Sequence, residues 1–360
     1  MEGRTQTALI YDERYLLHKT GSSHHEAPER LATAMNAIKS YGLLDREKCR
    51  IIQPRQATVE EVTAIHDREY VEDVKRFCSQ GGGPYDVDTF LSPESYDVAL
   101  LAAGGALKAC ELVYSGKASN AFAMVRPPGH HAGISGRTVG AASLGFCVFN
   151  NVAVATAYLL REKLAEKVAI LDIDVHHGNG TQEIFNSTSK VLYVSIHEWG
   201  IYPGTGSYTE IGEGEGKGYK VNIPLPHRSN DHVYLELFKS IVTPIVEQFK
   251  PDMVLASVGY DAHQSDPIAN ILLTTNGYME VFRQMLSLSE RLCGGKFVAC
   301  LEGGYSSTAL SKTLPATVAV MAGTSLDVEE QIYDVSAIPT TEARRIIERL
   351  RQALGGYWKF

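Results

Sequence analysis

Short apolar runs alternate with longer amphipathic stretches along most of this chain, and the alternation predicts its secondary structure. We predict strands at 7–11, 121–125, 168–172, 191–196, 220–223, 253–258 and 297–301. Helices are predicted between them at 31–41, 92–115, 151–163, 232–249 and 274–292. Strands and helices that alternate in this way favour an α/β fold with a mostly parallel sheet covered by helices on both faces.

The C-terminal tail differs from the rest of the chain. It turns charged after Ser325, and helical spacing returns at 341–354 with charged residues on the outer face. The residues before it contain no internal repeat and no linker of disordered composition. We therefore predict one domain over 1–325 and a helical extension over 326–360 that packs on this domain.

Composition adds limits on compartment and partners. The chain of 360 residues is 44% hydrophobic and 21% charged, which is ordinary for a globular protein. Its net charge of −8 argues against direct binding to nucleic acid or to an anionic membrane, and it favours cationic substrates. The six cysteines form no C-x-x-C pair, and no apolar run approaches about 18 residues, so we expect a soluble cytoplasmic protein with reduced thiols.

The most informative stretch begins at the end of the predicted strand 168–172. Asp172, Asp174 and His176 alternate there, and strand geometry would point their side chains to the same side. Two carboxylates and an imidazole are costly to bury without partners, whereas a divalent metal ion removes that cost because Asp and His are zinc ligands. Acids that cap the following helix are the simpler alternative, but so dense a group favours a metal site.

Residues of a similar kind follow three other predicted strands. They are the adjacent pair His130 and His131, the acid Asp261, and Tyr305 behind two glycines. Ligand sites of open parallel sheets lie beyond the carboxyl ends of the strands. Because these ends meet at one edge of the predicted sheet, we expect the four segments to form one site.

Metal chemistry suggests roles for three of these residues. A catalytic zinc ion keeps three protein ligands and one open position for water. Asp174, His176 and Asp261 can supply the three ligands. Such an ion polarises a carbonyl group and lowers the pKa of its water toward about 7.

Proton transfer and charge stabilisation need other groups. A neutral histidine must take the proton of the water, and His131 or His130 can do so. The phenol of Tyr305 can donate to a developing oxyanion, and such a donor is typically worth about 10²–10³ in rate. These parts together predict metal-assisted hydrolysis of an amide.

The order of these motifs resembles the zinc-dependent histone deacetylase family, within the arginase–deacetylase superfamily. The matching segments span most of the chain and are 26–30, 126–132, 145–151, 172–181, 194–197, 202–206, 259–261 and 301–305. The resemblance implies the arginase–deacetylase fold, a single α/β domain with a central eight-stranded, mostly parallel sheet flanked by helices. It also implies a deacetylase, a hydrolase that acts on linear amide bonds.

The resemblance further implies residue roles. Zinc, one ion per chain, would bind Asp174, His176 and Asp261, and Fe²⁺ suits the same ligands. The implied catalytic residues are His130, His131 and Tyr305. The implied substrate-binding residues are Gly145, Phe146, Tyr202, Ile268 and Gly303. A structural K⁺ or Na⁺ would bind at Asp172, Asp174, His176, Ser195 and Ile196, and a second one at Phe185, Thr188, Val191 and Tyr219.

Three positions place the chain within this family. Asn179 stands where class I enzymes carry an aspartate, so the chain resembles class II. As a neutral partner, Asn179 leaves His131 less basic than an aspartate would. Asp172 can pair with His130. Tyr202 stands where many relatives have phenylalanine, and its hydroxyl group needs a partner. Ile268 occupies the position at which polyamine-specific members carry an acid, which argues against a free polyamine as substrate.

Four functions compete at this stage. The first is removal of acyl groups from N-acyl-lysine in proteins or peptides. The sequence is also compatible with a homo-oligomer. The second is deacetylation of a small molecule, such as an acetylated polyamine or an acetoin-pathway compound. The third is a ureohydrolase with two manganese ions, which needs further acidic ligands around the second metal, and Asn179 counts against it. The fourth is a non-catalytic reader of acyl-lysine. Such a protein would have lost a metal ligand or Tyr305, and all of these are present.

Overall fold

Eight parallel strands form the central sheet of the computed structural model, which describes residues 5–21, 23–44, 48–332 and 340–360. In chain order the strands are β1 (Thr5–Ile10), β2 (Cys49–Ile52), β3 (Ala118–Ala123), β4 (Val168–Asp172), β5 (Val191–Glu198), β6 (Lys220–Leu225), β7 (Met253–Val258) and β8 (Phe297–Leu301). Their order across the sheet is β6–β5–β4–β7–β8–β3–β1–β2. Every position of β4, β7 and β8 is buried, so both faces of the sheet are covered. The predicted fold class is confirmed.

Helices flank the sheet. They are α1 (Glu29–Ser40), α2 (Val59–Val62), α3 (Arg68–Ser79), α4 (Ser95–Tyr114), α5 (Asn151–Arg161), α6 (Asn179–Ile184), α7 (Asp231–Leu237), α8 (Thr243–Phe249), α9 (Thr275–Cys293), α10 (Leu314–Met321) and α11 (Thr340–Leu354). Polar side chains cap several N-termini, since Asn150 accepts from Ala153 N–H and Thr274 from Gly277 N–H. In the part of the chain that the structure describes, no helix is long and apolar enough to cross a bilayer.

The structure corrects two sequence predictions. Strand β2 was not predicted, because its four residues are too few to show a clear pattern. The helix predicted at 232–249 has a π-helical turn at Phe238–Val242 between α7 and α8. Pro244 lies in the first turn of α8 and lacks the N–H that a regular helix would use there, which accounts for the wider turn.

The C-terminal helix α11 contacts the body of the protein. Ala343, Leu350 and Leu354 are buried in the same apolar core as the sheet. Beyond the helix, Trp358 Nε1–H donates to the Gly218 carbonyl oxygen at 2.6 Å. The division into a domain at 1–325 and an extension at 326–360 stays a prediction.

Candidate active site

The four segments predicted to form one site follow four neighbouring strands. Strands β4, β7, β8 and β3 are adjacent and parallel, so their carboxyl ends meet at the same edge of the sheet. The residues after these ends come together there, since His130 Nε2 lies 3.8 Å from Asp174 Oδ1 and His176 Nδ1 lies 3.3 Å from Asp261 Oδ2. The predicted position of the site, beyond the carboxyl edge of the sheet, agrees with this arrangement.

The acidic stretch reaches the site through a turn, which corrects the expected strand geometry. Strand β4 ends at Asp172, and Asp172 Oδ1 accepts a hydrogen bond from Asp174 N–H at 3.2 Å. Asp174 Oδ1 accepts one from His176 N–H at 2.9 Å. The turn directs Asp174 and His176 toward Asp261, whereas Asp172 Oδ2 lies 3.1 Å from His130 Nδ1.

Asp174, His176 and Asp261 fit a divalent metal ion. Each offers a ligand atom, and these atoms lie within 4.8 Å of one another. Burial lowers the pKa of His176, but its contacts with the two carboxylates outweigh burial and raise the pKa to about 10. Asp261 Oδ2 is buried and receives no hydrogen bond from any residue the structure describes, although His176 Nδ1 lies 3.3 Å away. A bound cation would give this buried oxygen the partner that it lacks.

Backbone groups that follow β4 and β8 hold the two carboxylates. Gly303 N–H donates to Asp174 Oδ2 at 2.8 Å, and Val175 N–H donates to Asp261 Oδ1 at 3.0 Å. A Cβ atom at Gly303 would lie 2.1 Å from Asp261 Oδ2, and one at Gly259 would lie 2.1 Å from Asp174 Oδ2. Both positions therefore require glycine, and Gly303, predicted to bind substrate, contacts the ligand group.

His130 lies beside two carboxylates. Its Nδ1 atom is 3.1 Å from Asp172 Oδ2, and its Nε2 atom is 3.8 Å from Asp174 Oδ1. Burial lowers the pKa of His130, but the charges of Asp174 and Asp172 outweigh burial and raise it to about 10. A cation at the ligand group would offset part of this effect, and the pairing with Asp172 would still favour the imidazolium form.

His131 has a neutral partner, as its sequence position predicts. Its Nδ1 atom lies 2.7 Å from Asn179 Oδ1, and Asn179 Nδ2–H donates to Thr138 Oγ1 at 2.6 Å. Because an amide oxygen only accepts, His131 Nδ1 carries the proton and Nε2 keeps its lone pair. Burial and the charges of His130 and His176 hold the pKa of His131 well below its usual value.

Glu302 positions the two histidines from behind, a role that sequence reasoning missed. Its Oε2 atom accepts hydrogen bonds from Gly129 N–H at 2.7 Å and from His130 N–H at 3.2 Å. Its Oε1 atom accepts one from Ser257 Oγ–H at 3.2 Å. The signal in the sequence is an acid directly after a buried strand, ahead of the two glycines that precede Tyr305.

Arg30 holds the turn that carries Tyr305. Its Nε–H donates to the Gly304 carbonyl at 2.6 Å, and its Nη2–H donates to the Glu302 carbonyl at 2.7 Å. The guanidinium carbon lies 4.8 Å from the centre of the Tyr305 ring. Glu26 pairs with Arg30 Nη1 at 2.9 Å. Burial raises the pKa of Tyr305 well above its usual value, so the phenol keeps its proton.

Two aromatic side chains border the approach to this group. The Phe146 ring centre lies 5.7 Å from that of Tyr305. A Cβ atom on Gly145 would lie 2.5 Å from His131 Cδ2 and 2.7 Å from Tyr202 Cε1, so this position requires glycine. Tyr202 O–H donates to the Ser143 carbonyl at 2.9 Å, which satisfies the hydroxyl group.

The rim of the approach carries His24, His25 and Ile268. The His24 ring packs edge-on against Phe146 with centres 4.7 Å apart, and His25 lies 6.2 Å from Tyr305. Ile268 is half-buried, and its N–H donates to an Asp266 carboxylate oxygen at 3.2 Å. The two histidines therefore lie beside Phe146 and Tyr305.

The residues predicted for the first monovalent cation lie on adjacent strand ends. Asp172 and Ser195 are direct partners in the register of β4 and β5. Ser195 Oγ lies 2.9 Å from His197 Nδ1, and the Ile196 carbonyl accepts from Tyr234 O–H at 3.2 Å. The site stays a prediction.

Lys220 lies among the residues predicted for the second monovalent cation. It is fully buried at the start of β6, and its Nζ donates to the carbonyl oxygens of Val191 at 2.9 Å, Thr188 at 3.2 Å and Tyr219 at 3.3 Å. Burial lowers the pKa of Lys220 to about 7. The ammonium group thus bonds to three of the four residues predicted to bind this ion, all except Phe185. A monovalent cation would compete with Lys220 for these carbonyl oxygens. The second site stays a prediction, and the position of Lys220 argues against it.

Replacing Lys220 with alanine should expose this competition. The three carbonyl oxygens lose their donor, so we expect the free energy of unfolding to fall by about 2 kcal/mol or more. K⁺ can then bind in the vacated space and should restore part of the stability. Thermal unfolding in potassium and choline chloride at equal ionic strength measures this. An equal potassium response in wild type and variant would contradict the expectation.

Comparison with known proteins agrees with this geometry. Residues 24–321 match the histone deacetylase domain family. The chain is 40% identical to a probable deacetylase of Archaeoglobus fulgidus over 98% of this chain and 99% of that one. It is 32% identical to the histone deacetylase-like amidohydrolase of Pseudomonas aeruginosa over 91% of this chain and 89% of the relative.

A solved structure shows the same fold. The crystal structure of the HDA15 HD domain superposes with a TM-score of 0.88 at 34% identity, and the match covers 99% of this chain and 96% of that one. The family predicted from the motif order is confirmed by these matches. The chain belongs to the histone deacetylase family, and its enzymatic class is that of the deacetylase-type amidohydrolases.

Proposed function

We propose that this protein removes acetyl or other acyl groups from N-acyl-lysine in proteins or peptides, releasing the acid and the free amine. One observation carries the proposal. A buried carboxylate oxygen of Asp261 lacks a hydrogen bond and lies close to Asp174 and His176. Beside this group are His130, which is paired with Asp172, and His131, which is paired with Asn179. Such a group calls for a cation, and the histidines supply an acid and a base beside it.

The three ligand residues would hold one zinc ion per chain, and Fe²⁺ suits the same set. When bound, the metal would polarise the acyl carbonyl and acidify the attacking water. Zinc dependence is typical of this family, and the donor set of two carboxylates and one imidazole supports it. We further propose that K⁺ or Na⁺ binds at the first predicted set, which includes Asp172 and Ser195.

The protein side chains would carry the protons. His131 Nε2 accepts the proton of the attacking water, because Asn179 keeps the ring proton on Nδ1. The protonated His130 supplies a positive charge and a hydrogen bond beside the reacting carbonyl. Tyr305 O–H donates to the oxygen on which negative charge develops. His131 then returns its proton to the leaving amine.

The aromatic residues beside the ligand group support an acyl-lysine substrate. Phe146 packs against the Tyr305 ring and the Tyr202 hydroxyl group is bonded to Ser143, so neither offers a free polar group to the unbranched alkyl chain of lysine. Ile268 at the rim gives a second ammonium group no partner, so an acetylated polyamine fits less well.

A substrate panel tests this choice. Acetate release would be measured from an acetyl-lysine peptide, longer acyl-lysine peptides and acetylated polyamines, each at the same concentration. We expect the highest kcat/KM with an acyl-lysine peptide. Preference for an acetylated polyamine would overturn the substrate assignment and leave the chemistry standing.

Changing Asn179 to aspartate should shift the pH dependence. A carboxylate beside His131 favours its charged form and raises its pKa, so the base becomes harder to deprotonate. We expect the acidic limb of the kcat/KM profile to move to higher pH. An unmoved limb would mean that His131 is not the base, and Thr138→Ala, which changes the other contact of Asn179, serves as control.

A further inference from the structure

A segment between α10 and α11 reaches back to the active-site loops. We name residues 323–332 the strap. Glu330 lies within it, and its side chain is 10% exposed. Glu330 Oε2 accepts a hydrogen bond from Thr275 N–H, at the start of α9, at 2.8 Å. Its Oε1 atom accepts one from Gln264 Nε2–H at 3.1 Å. The strap therefore fixes a carboxylate between a helix start and the loop that follows Asp261.

The buried ring of His263 connects Glu330 to that loop. His263 Nε2 lies 2.6 Å from Glu330 Oε1. Ser265 N–H lies 3.2 Å from His263 Nδ1 and can only donate, so Nδ1 accepts. The ring proton is then on Nε2, the atom that approaches Glu330 Oε1, although the contact lacks the angle of a hydrogen bond. His263 lies two residues beyond Asp261 in the chain, and the proposed chemistry gives it no role.

The contacts continue to the turn that carries Tyr305. Ser265 Oγ lies 2.8 Å from His263 Nδ1 and 2.8 Å from Ser306 Oγ. Since Nδ1 accepts, Ser265 donates to it and accepts from Ser306. Asp266 Oδ2 accepts from Tyr305 N–H at 2.7 Å and from Ser306 N–H at 3.0 Å. The close contact of Glu330 with His263 and the hydrogen bonds through Ser265 thus join the strap to the residue after Tyr305.

We propose that Glu330 is a positioning residue for Tyr305. Its carboxylate fixes His263 and, through Ser265 and Ser306, the turn that aims the phenol into the site. The proposal rests on the proposed function, because the role of Tyr305 belongs to that function. The competing interpretation is that Glu330 only fastens the strap to α9 and adds stability.

Glu330→Gln tests the proposal with little change in shape. A glutamine side chain is uncharged and has one oxygen, so it cannot keep both the close contact with His263 Nε2 and the hydrogen bond from Thr275 N–H. We expect kcat for an acetyl-lysine peptide to fall about tenfold with KM within about twofold, because small misplacements of a catalytic group cost rate more than binding. Glu329→Gln, at the exposed neighbouring position, is the matched control and should behave like wild type.

A double-mutant cycle separates positioning from stability. In a Tyr305→Phe background, Glu330→Gln should lower kcat by less than about twofold, because the group that Glu330 positions is gone. An equal loss of kcat in both backgrounds would show that Glu330 acts independently of Tyr305, and the proposal would be wrong.

Hydrogen exchange tests the same link without turnover. The amides of Tyr305 and Ser306 bond to Asp266 on the tethered loop, so they should exchange faster in Glu330→Gln than in wild type or Glu329→Gln. Unchanged exchange over 303–306 would overturn the proposal. A wild-type protein that releases no acetate would instead overturn the proposed function, while the exchange result would still test the link.

Discussion

Replacing His131 with alanine should lower kcat for an acetyl-lysine peptide by about 10³-fold or more, since general acid–base catalysis contributes up to about 10⁴. His131 would act twice, first on the water and then on the leaving amine. Its bond to Asn179 leaves Nε2 as the acceptor, and burial together with the charge of His130 holds the pKa of His131 below its usual value. No other side chain in the described site has this combination.

His130→Ala is the matched comparison. His130 lies beside Asp172 and Asp174 and supplies charge, not the base. We therefore expect a measurable remnant of turnover in His130→Ala and a smaller one in His131→Ala. Zinc content must be equal in the three proteins for the comparison to hold. Greater damage in His130→Ala would reverse the assignment of the two roles.

Replacing Tyr305 with phenylalanine should lower kcat by about 10²-fold with little change in KM. The phenol would bond only to the oxygen that becomes charged, so its loss affects the transition state and not the bound substrate. The ring itself remains, with its contacts to Arg30 and Phe146. Folding should therefore be unchanged.

Steady-state kinetics and metal analysis check this expectation. Near-wild-type turnover in Tyr305→Phe would mean that another donor serves the oxyanion. Arg30→Met gives a useful contrast, because it removes the charge and hydrogen bonds behind the turn and leaves the phenol in place. We expect it to lower kcat and also to destabilise the fold.

Local patterns made much of this site predictable. The apolar runs that became β4, β7 and β8 were predicted with the bounds that the structure shows, and the residues after them identified the ligand group. Parallel strands place such ends together whatever the loops do. Even so, the convergence of Asp174 and His176 comes from a turn after β4 and not from the predicted strand alternation.

Contacts between distant segments were not predictable in this way. Lys220 resembles an ordinary charged residue at a strand start, yet its ammonium group lies buried among carbonyl oxygens that include those of Thr188 and Val191. Glu330 belongs to a charged tail, and its partners His263 and Thr275 are more than 50 positions away. Whether a charged side chain is buried depends on the packed structure, and the hydrophobic periodicity of the sequence around it does not show this.

If the protein hydrolyses amides with one metal ion per chain, stepwise reconstitution with zinc should show this. Metal-free protein would receive zinc in fractions of one equivalent, with acetate release from an acetyl-lysine peptide measured at each step. The account predicts activity that rises linearly and levels off at one zinc per chain, with none before addition. Two tightly bound manganese ions per chain, or full activity without metal, would contradict it.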